Sequence, residues 1–184
     1  MKNKTIGVIQ ARLGSTRLPY KMMLSLHGTP IIEWVIKRVQ KSKLLDKLIV
    51  AIPVTEDNDI LEKYIKELGV NVFRGSEDNV LERFYQSAKI ENPSNVIRIC
   101  ADNPLIDGLE IDNLINFYEK NECDYAYNHI PKDNLYPDGL GAEIVKFSTL
   151  EHLYNVVEIQ HQKEHSLSYI TENSEKFSIK TFDP

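Results

Sequence analysis

Cysteine is scarce in this chain: 184 residues carry two, Cys100 and Cys123. Neither sits in a C-x-x-C pair or beside histidines at ligand spacing, which excludes a disulfide-stapled scaffold, a thioredoxin-like redox motif and a structural zinc site. Both are expected as reduced thiols in or near the core. The five histidines do not cluster, and His27, His129, His152 and His161 show no ligand spacing. Long apolar runs are absent too. Met1 to Ala11 has a charged start but only a short apolar stretch, which fits neither a secretory leader nor a membrane span, and a cytoplasmic location is expected. The two common glycine-rich phosphate motifs, G-x-x-x-x-G-K-[ST] and G-x-G-x-x-G, do not occur, which argues against a P-loop NTPase and a standard dinucleotide site. No internal repeat, low-complexity tract or linker divides the chain, so one domain over 1–184 is expected.

Acid is scarce at the amino-terminal end. Residues 1–50 hold ten Lys and Arg against two Asp and Glu, whereas residues 51–184 hold twelve against twenty-five, and the whole chain has a formal net charge of -5. A general nucleic-acid binder would be basic over a broad surface, so nucleic acid is not an expected partner. Positive charge confined to one segment suits an anionic small molecule.

What is present is an alternation of β-branched apolar runs with segments of helical period, the pattern of a mostly parallel α/β sheet flanked by helices. Strands are predicted at Thr5–Ala11, Lys47–Pro53, VNVFRG and Asn95–Asp102, with later ones in CDYAYNH and GAEIVKF. Helices are predicted after Thr29 as N-cap with Pro30 in the first turn, from Thr55 to a close at Gly69, after Ser76 as N-cap, over Leu109–Asn121 and over Thr149–Val157. The tail reads as a further helix and a strand. In such sheets ligands bind at the carboxyl ends of the strands. The loop after the first strand, with Arg12, Gly14, Ser15, Thr16, Arg17 and Lys21, falls there, and so does Asp102. Backbone N–H groups, hydroxyls and cations in one loop can surround phosphate oxygens, with glycine allowing a tight turn. Each position also admits a plainer reading: a solvated basic loop, a turn aspartate before Pro104, a helix cap at Asp107, a structural turn at Pro137-Asp138-Gly139, and a structural His165.

Five motifs then occur in order: IQARLGSTRLPYKMML (Ile9–Leu24), RGSEDNVLERF (Arg74–Phe84), IRICADNPLID (Ile97–Asp107), YPDGLGAEIVKFSTLE (Tyr136–Glu151) and KEHSLSYI (Lys163–Ile170). Together they resemble the cytidylyltransferases similar to CMP-N-acylneuraminate and CMP-KDO synthetases, closest to the spore-coat polysaccharide biosynthesis branch. The resemblance implies a GT-A-like nucleotidyltransferase sandwich. The implied reaction transfers a nucleoside monophosphate, from CTP, to a sugar acid, sugar phosphate or related acceptor with release of pyrophosphate, in surface-polysaccharide biosynthesis. It assigns Arg12 and Lys21 to the triphosphate, with Gly14, Ser15, Thr16 and Arg17 beside them. Arg74, Ser76 and Asp78 would border the nucleoside, and Asp102 would hold Mg²⁺ or Mn²⁺. Asp138, Glu143 and His165 would face the acceptor.

Attack on an α-phosphorus requires neutralised oxygens, an in-line acceptor and a leaving pyrophosphate, so Arg12, Lys21 and Asp102 are the expected catalytic residues and no protein nucleophile is needed. Relatives commonly pair, and DYAYN would suit a homodimer interface. Members of the family also continue past the strand corresponding to KFSIKTF to an Asp that supplies a second metal ligand. With the sequence given to Pro184, triphosphate binding is expected to depend little on the metal and turnover to be weak. Two other readings stay open at this point: a guanylyl- or uridylyltransferase for a sugar phosphate, and a non-catalytic nucleotide-binding module.

Overall fold

A computed structural model describes residues 3–15 and 17–184 of the chain. The first apolar run forms β1 (Thr5–Gln10), ending one residue before the expected limit. The first helix departs more from expectation. Thr29 does not cap it; instead β2 (Ser25–Leu26) and β3 (Thr29–Pro30) pair as a small hairpin, and α1 (Ile31–Val39) starts after Pro30 without a side-chain cap. The hairpin turn is His27-Gly28, with φ of 50° and 81°. Two consecutive left-handed residues are what a two-residue hairpin of matching twist requires, and glycine adopts that conformation without strain.

Next come β4 (Lys47–Pro53), α2 (Asp59–Glu67) and β5 (Asn71–Gly75). Thr55 precedes a 3-10 turn at Glu56–Asn58 and makes no side-chain cap, so α2 begins later than expected. It is followed by Gly69 at φ 74°, as expected of a residue just past a helix end. In α3 (Val80–Lys89) the cap is Asn79, whose side chain accepts from the Glu82 amide at 2.9 Å. Ser76, the expected cap, accepts from the Asn79 amide one turn earlier, because the chain makes an extra turn before the helix. β6 (Asn95–Cys100) and α4 (Gly108–Lys120) follow, and Asp107 caps α4 by accepting from the Leu109 amide. β7 (Tyr125–Tyr127), β8 (Glu143–Lys146) and α5 (Phe147–Val156) come next. The single helix expected in the tail is two short ones, α6 (Gln160–Glu164) and α7 (Ser168–Glu172), before β9 (Ile179–Lys180).

The sheet order is β5-β4-β1-β6-β8-β7-β9. Only β8 runs against its neighbours, β6 and β7. From β1 the chain builds outward through β4 and β5, then returns to place β6 on the other side of β1, so a crevice opens between the carboxyl ends of β1 and β6. Strand parity divides two apolar cores between the faces. Ile9, Val50, Ile52, Ile97 and Ile99 pack with α1, α2 and α4, whereas Ile6, Val8, Ile49, Ala51 and Val96 pack with α3 and α5. Tyr125 and Tyr127 are buried in this second core. The expectation that DYAYN offers a dimer interface is therefore corrected, since its side chains are spent inside the fold. Both cysteines are free thiols, and among the described residues no helix is long and apolar enough to cross a membrane.

Candidate functional site

The loop after β1 is pinned from below. Leu13 and Met22 insert into the core at 2% exposure each, and the Leu13 carbonyl accepts from the Ser15 and Tyr20 amides at 2.8 and 3.1 Å. The Leu13 amide donates to Oδ1 of Asn58, a fully buried side chain at the end of the 3-10 turn after β4. Gly14 is not in the left-handed region; Tyr20, at φ 56°, makes the tight bend instead. The conformational role expected of Gly14 is thus corrected, although a Cβ there would meet Oε1 of Glu77 at 3.5 Å. Ser15 uses its amide inside the loop, and its hydroxyl accepts from the Leu18 amide at 3.3 Å. Thr16 lies outside the described residues.

With its two apolar anchors buried, the loop holds Arg12, Ser15, Arg17 and Lys21 over a crevice of about 280 Å³ at the β1/β6 switch point. Asp102 lines the same crevice, as do Glu164 and His165 at the end of α6. Lys21 Nζ donates to Asp102 Oδ2 at 2.9 Å across 81 residues of sequence. Burial pushes the Asp102 carboxyl up, but the hydrogen bond and charge of Lys21 outweigh it, helped by Arg98, and the group titrates below its ordinary value. Neither Arg12 nor Arg17 has an ion-pair partner among the described residues.

Among the lining residues not expected from the sequence are Arg83 on α3, Arg98 on β6 and Gln10 at the end of β1. Arg83 is 2% exposed and has no carboxylate paired with it among the described residues; its Nη1 donates to the Ser76 carbonyl. Burial, reinforced by the Arg12 charge and only partly offset by Glu77, brings its pKa down to about 10. Arg98 is anchored to Glu143. Glu143 lies buried on β8, with Tyr125 OH donating to its Oε1 at 2.6 Å and His129 Nε2 at 3.9 Å from Oε2. Desolvation raises the Glu143 carboxyl, yet Arg98, His129 and Tyr125 together hold it below the usual range. Glu143 was expected to touch the acceptor. The structure places it behind Arg98 with both oxygens engaged, where it orients that guanidinium.

The remaining expected positions lie outside the crevice. Arg74 turns to α2, with Nη1 at 2.5 Å from Asp59 and 2.7 Å from Glu62 and Nη2 on the Thr55 carbonyl at 2.8 Å. It is engaged there as a brace. Ser76 and Asp78 belong to the turn that carries Arg83, and Gln160 ties that turn to α6 through the Asp78 carbonyl at 3.2 Å. Asp138 is exposed at the tip of the YPDGLG turn. That turn rests on the NPLID segment through the Asp107 amide, which donates to the Leu140 carbonyl at 2.9 Å, and through Gly139 against Asn103. Arg38 braces NPLID from α1 through the Ile106 carbonyl and Asp107.

No group of three or more His, Cys, Asp or Glu among the described residues is arranged for a metal. Asp102 is a single carboxylate, 48% exposed toward the crevice. Such a ligand fits Mg²⁺, which takes one or two carboxylates and completes its shell with phosphate oxygens and water. Chemically, the arrangement can bind a polyanion at the loop and stabilise charge developing on phosphate.

Comparison with known proteins identifies the family. An uncharacterized protein of Methanocaldococcus jannaschii is 38% identical over 181 residues, covering 98% of this chain and 72% of that protein. The spore coat polysaccharide biosynthesis protein SpsF of Bacillus subtilis is 34% identical over 173 residues, covering 91% of this chain and 70% of its own. A solved cytidylyltransferase from Leptospira borgpetersenii superposes with a TM-score of 0.90 at 32% identity, over 100% of this chain and 76% of that one. Residues 6–182 match the cytidylyltransferase family model, and the chain belongs to that family.

Proposed function

We propose that this protein transfers CMP from CTP to an oxygen of a sugar-like acceptor and releases pyrophosphate, with Mg²⁺ as its ion. The observation that carries the reading is the cationic cluster at the β1/β6 switch point: Arg12, Arg17 and Lys21 around a crevice whose buried Arg83 has no paired carboxylate among the described residues, with Asp102 at its edge. Positive charge concentrated in a fixed loop above the buried Arg83 favours an anion, and a triphosphate supplies several charges.

In this reading Arg12, Arg17 and Lys21 bind phosphate oxygens, and Arg83 adds charge from below. The acceptor oxygen forms a bond to the α-phosphorus as the bond to the bridging oxygen breaks; pyrophosphate leaves and the acceptor proton passes to solvent. The cations act by positioning and by stabilising the oxygens as charge develops. Bound Mg²⁺, held by Asp102, would supply further neutralisation of the phosphates. Lys21 would then exchange Asp102 for phosphate, at small cost because an exposed ion pair is worth about 0–1 kcal/mol. Glu164 and His165 line the same crevice and border the space left for the acceptor. The name of the SpsF relative supports a role in surface-polysaccharide biosynthesis, and use of CTP implies a cytoplasmic setting.

Thermal unfolding with each of four nucleoside triphosphates and Mg²⁺ tests the reading first, because ligand binding to the native state raises the midpoint. CTP should give the largest shift, and Lys21→Ala should reduce it. Pyrophosphate release from CTP with a sugar acid should follow. Equal shifts from all four triphosphates, or none, would refute CTP use.

A further inference from the structure

We propose that Arg38 is a positioning residue for the transfer site: from the last turn of α1 it clamps the segment between β6 and α4, and so fixes where Asp102 presents its carboxylate to the crevice. The inference rests on the cytidylyl-transfer reading and adds to it a residue that does not itself line the crevice.

Asp102 belongs to no helix or strand. β6 ends at Cys100 and α4 begins at Gly108, and the residues between them make two successive turns. The Asn103 amide donates to the Cys100 carbonyl at 3.4 Å, and the Ile106 amide to the Asn103 carbonyl at 3.1 Å. A segment with so few bonds of its own takes its place from what holds its ends. Lys21 reaches Asp102 from the loop side, but an exposed pair is worth about 0–1 kcal/mol, and the transfer reading releases it to phosphate. The far end is held by Arg38. Its Nε donates to the Ile106 carbonyl at 2.5 Å, while Nη2 donates to the Leu105 carbonyl at 3.3 Å and to Asp107 Oδ2 at 3.1 Å. One planar fork thus matches acceptors on three consecutive residues, which the single ammonium of a lysine cannot do.

Arg38 stands on a frame that is itself fixed. Gly108, the first residue of α4, lies so close to the end of α1 that a Cβ would fall 2.8 Å from the Arg38 carbonyl oxygen and 2.5 Å from the Ser42 amide nitrogen. Further along α4, Asp112 Oδ1 accepts from the Ser42 hydroxyl at 2.5 Å and from the Lys43 and Leu44 amides at 3.1 Å each. The end of α1 and the start of α4 are therefore joined, and Arg38 passes that spacing to the segment that carries Asp102. Side chains that hold a functional group from behind set its geometry as surely as those that touch it. The acceptor side depends on the same clamp, because the YPDGLG turn rests on this segment at Asn103 and at the Asp107 amide.

The test measures Mn²⁺ binding to the CTP complex by loss of the free-ion EPR signal, CTP binding without metal, and amide hydrogen exchange of the ligand-free protein. Arg38→Met should speed exchange at the Asn103, Ile106 and Asp107 amides and leave metal-free CTP affinity as in wild type. It should weaken Mn²⁺ in the CTP complex roughly ten-fold, the low end of what losing an outer-shell support costs. Arg38→Lys keeps the charge and the stem but bonds one acceptor at a time, so it should fall between the two; should Arg38→Met fail to fold, Arg38→Lys carries the comparison. An Asp102→Asn background decides whether Arg38 acts through that carboxylate. There Arg38→Met should cost no further Mn²⁺ affinity, because substitutions that act through one group do not add. Glu91→Gln, which loosens Lys4 and Lys47 at the opposite end of the sheet, controls for general destabilisation and should bind Mn²⁺ as wild type does. The proposal is overturned if Arg38→Met binds Mn²⁺ as wild type does, if its metal-free CTP affinity falls in step with the metal's, or if the two substitutions add. Failure of wild type to bind CTP would strike the cytidylyl-transfer reading instead, whereas unchanged exchange in ligand-free Arg38→Met overturns the clamp whatever the nucleotide does.

Discussion

Arg83→Met separates a residue kept for a ligand from one kept for the fold. Arg83 is buried, faces the Arg12 charge, and has its pKa brought from the ordinary guanidinium value down to about 10. For a base whose folded pKa is depressed, both folded and unfolded chains are protonated at neutral pH, so the penalty for the charged form is fully present there and is relieved only as pH rises through about 10. At about 1.36 kcal/mol per unit, the penalty is on the order of 3 kcal/mol. Against it stand the hydrogen bonds of Nη1 to the Ser76 and Glu77 carbonyls. Bonds from a charged donor contribute about 1.5–3 kcal/mol each, the longer contact to Glu77 at the low end. Methionine keeps the length and apolar stem, so the two effects nearly cancel and the ligand-free urea midpoint should move little. CTP affinity should fall roughly 10- to 150-fold, the equivalent of one charge-assisted phosphate contact. Urea unfolding with and without CTP, together with titration calorimetry, reads both. A variant strongly destabilised without ligand that binds CTP as wild type does would refute the reasoning and make Arg83 a strut.

Three further outcomes are expected. Asn58→Ala leaves the buried Leu13 amide without its acceptor; it should cost about 1–3 kcal/mol in urea unfolding and speed hydrogen exchange at Leu13. Because the Glu143 pKa is lowered in the folded state, its stabilising contribution is present above the unfolded value of about 4.3 and is lost as pH falls through the folded value. Glu143→Gln should therefore flatten the acid limb of the stability curve below about pH 4, and an unchanged limb would show that other carboxylates dominate it. Asp102→Asn removes the exposed carboxylate that fits Mg²⁺; Mg²⁺ affinity of the CTP-bound protein should fall while metal-free CTP binding persists, as read by paired titrations.

The alternation of strands and helices was legible because strands covered on both faces are continuously apolar and the amphipathic helices repeat at 3.6 residues, so β1, β4, β6 and α4 lie within one or two residues of expectation. Caps were less legible: Thr29 and Ser76 have the right chemistry for an N-cap, but a hairpin in one case and an extra turn in the other move the helix start away from them. At the site, Arg12, Arg17, Lys21 and Asp102 could be read from position, since a strand-end loop and a strand-end aspartate meet wherever the topology reverses. Arg83 and Arg98 could not be assigned that way, because each sits inside a regular element. Both nevertheless leave a trace in the sequence. Arg83 falls three residues after Val80, next to the apolar stripe of Leu81 and Phe84, and Arg98 interrupts a strand that must be buried on both faces. A charge at such a position must find a partner or a ligand. The structure separates the two cases: Arg98 is in direct contact with Glu143, whereas Arg83 has carbonyls, the Arg12 charge and only a partial offset from Glu77, so an anion in the crevice would compensate its charge.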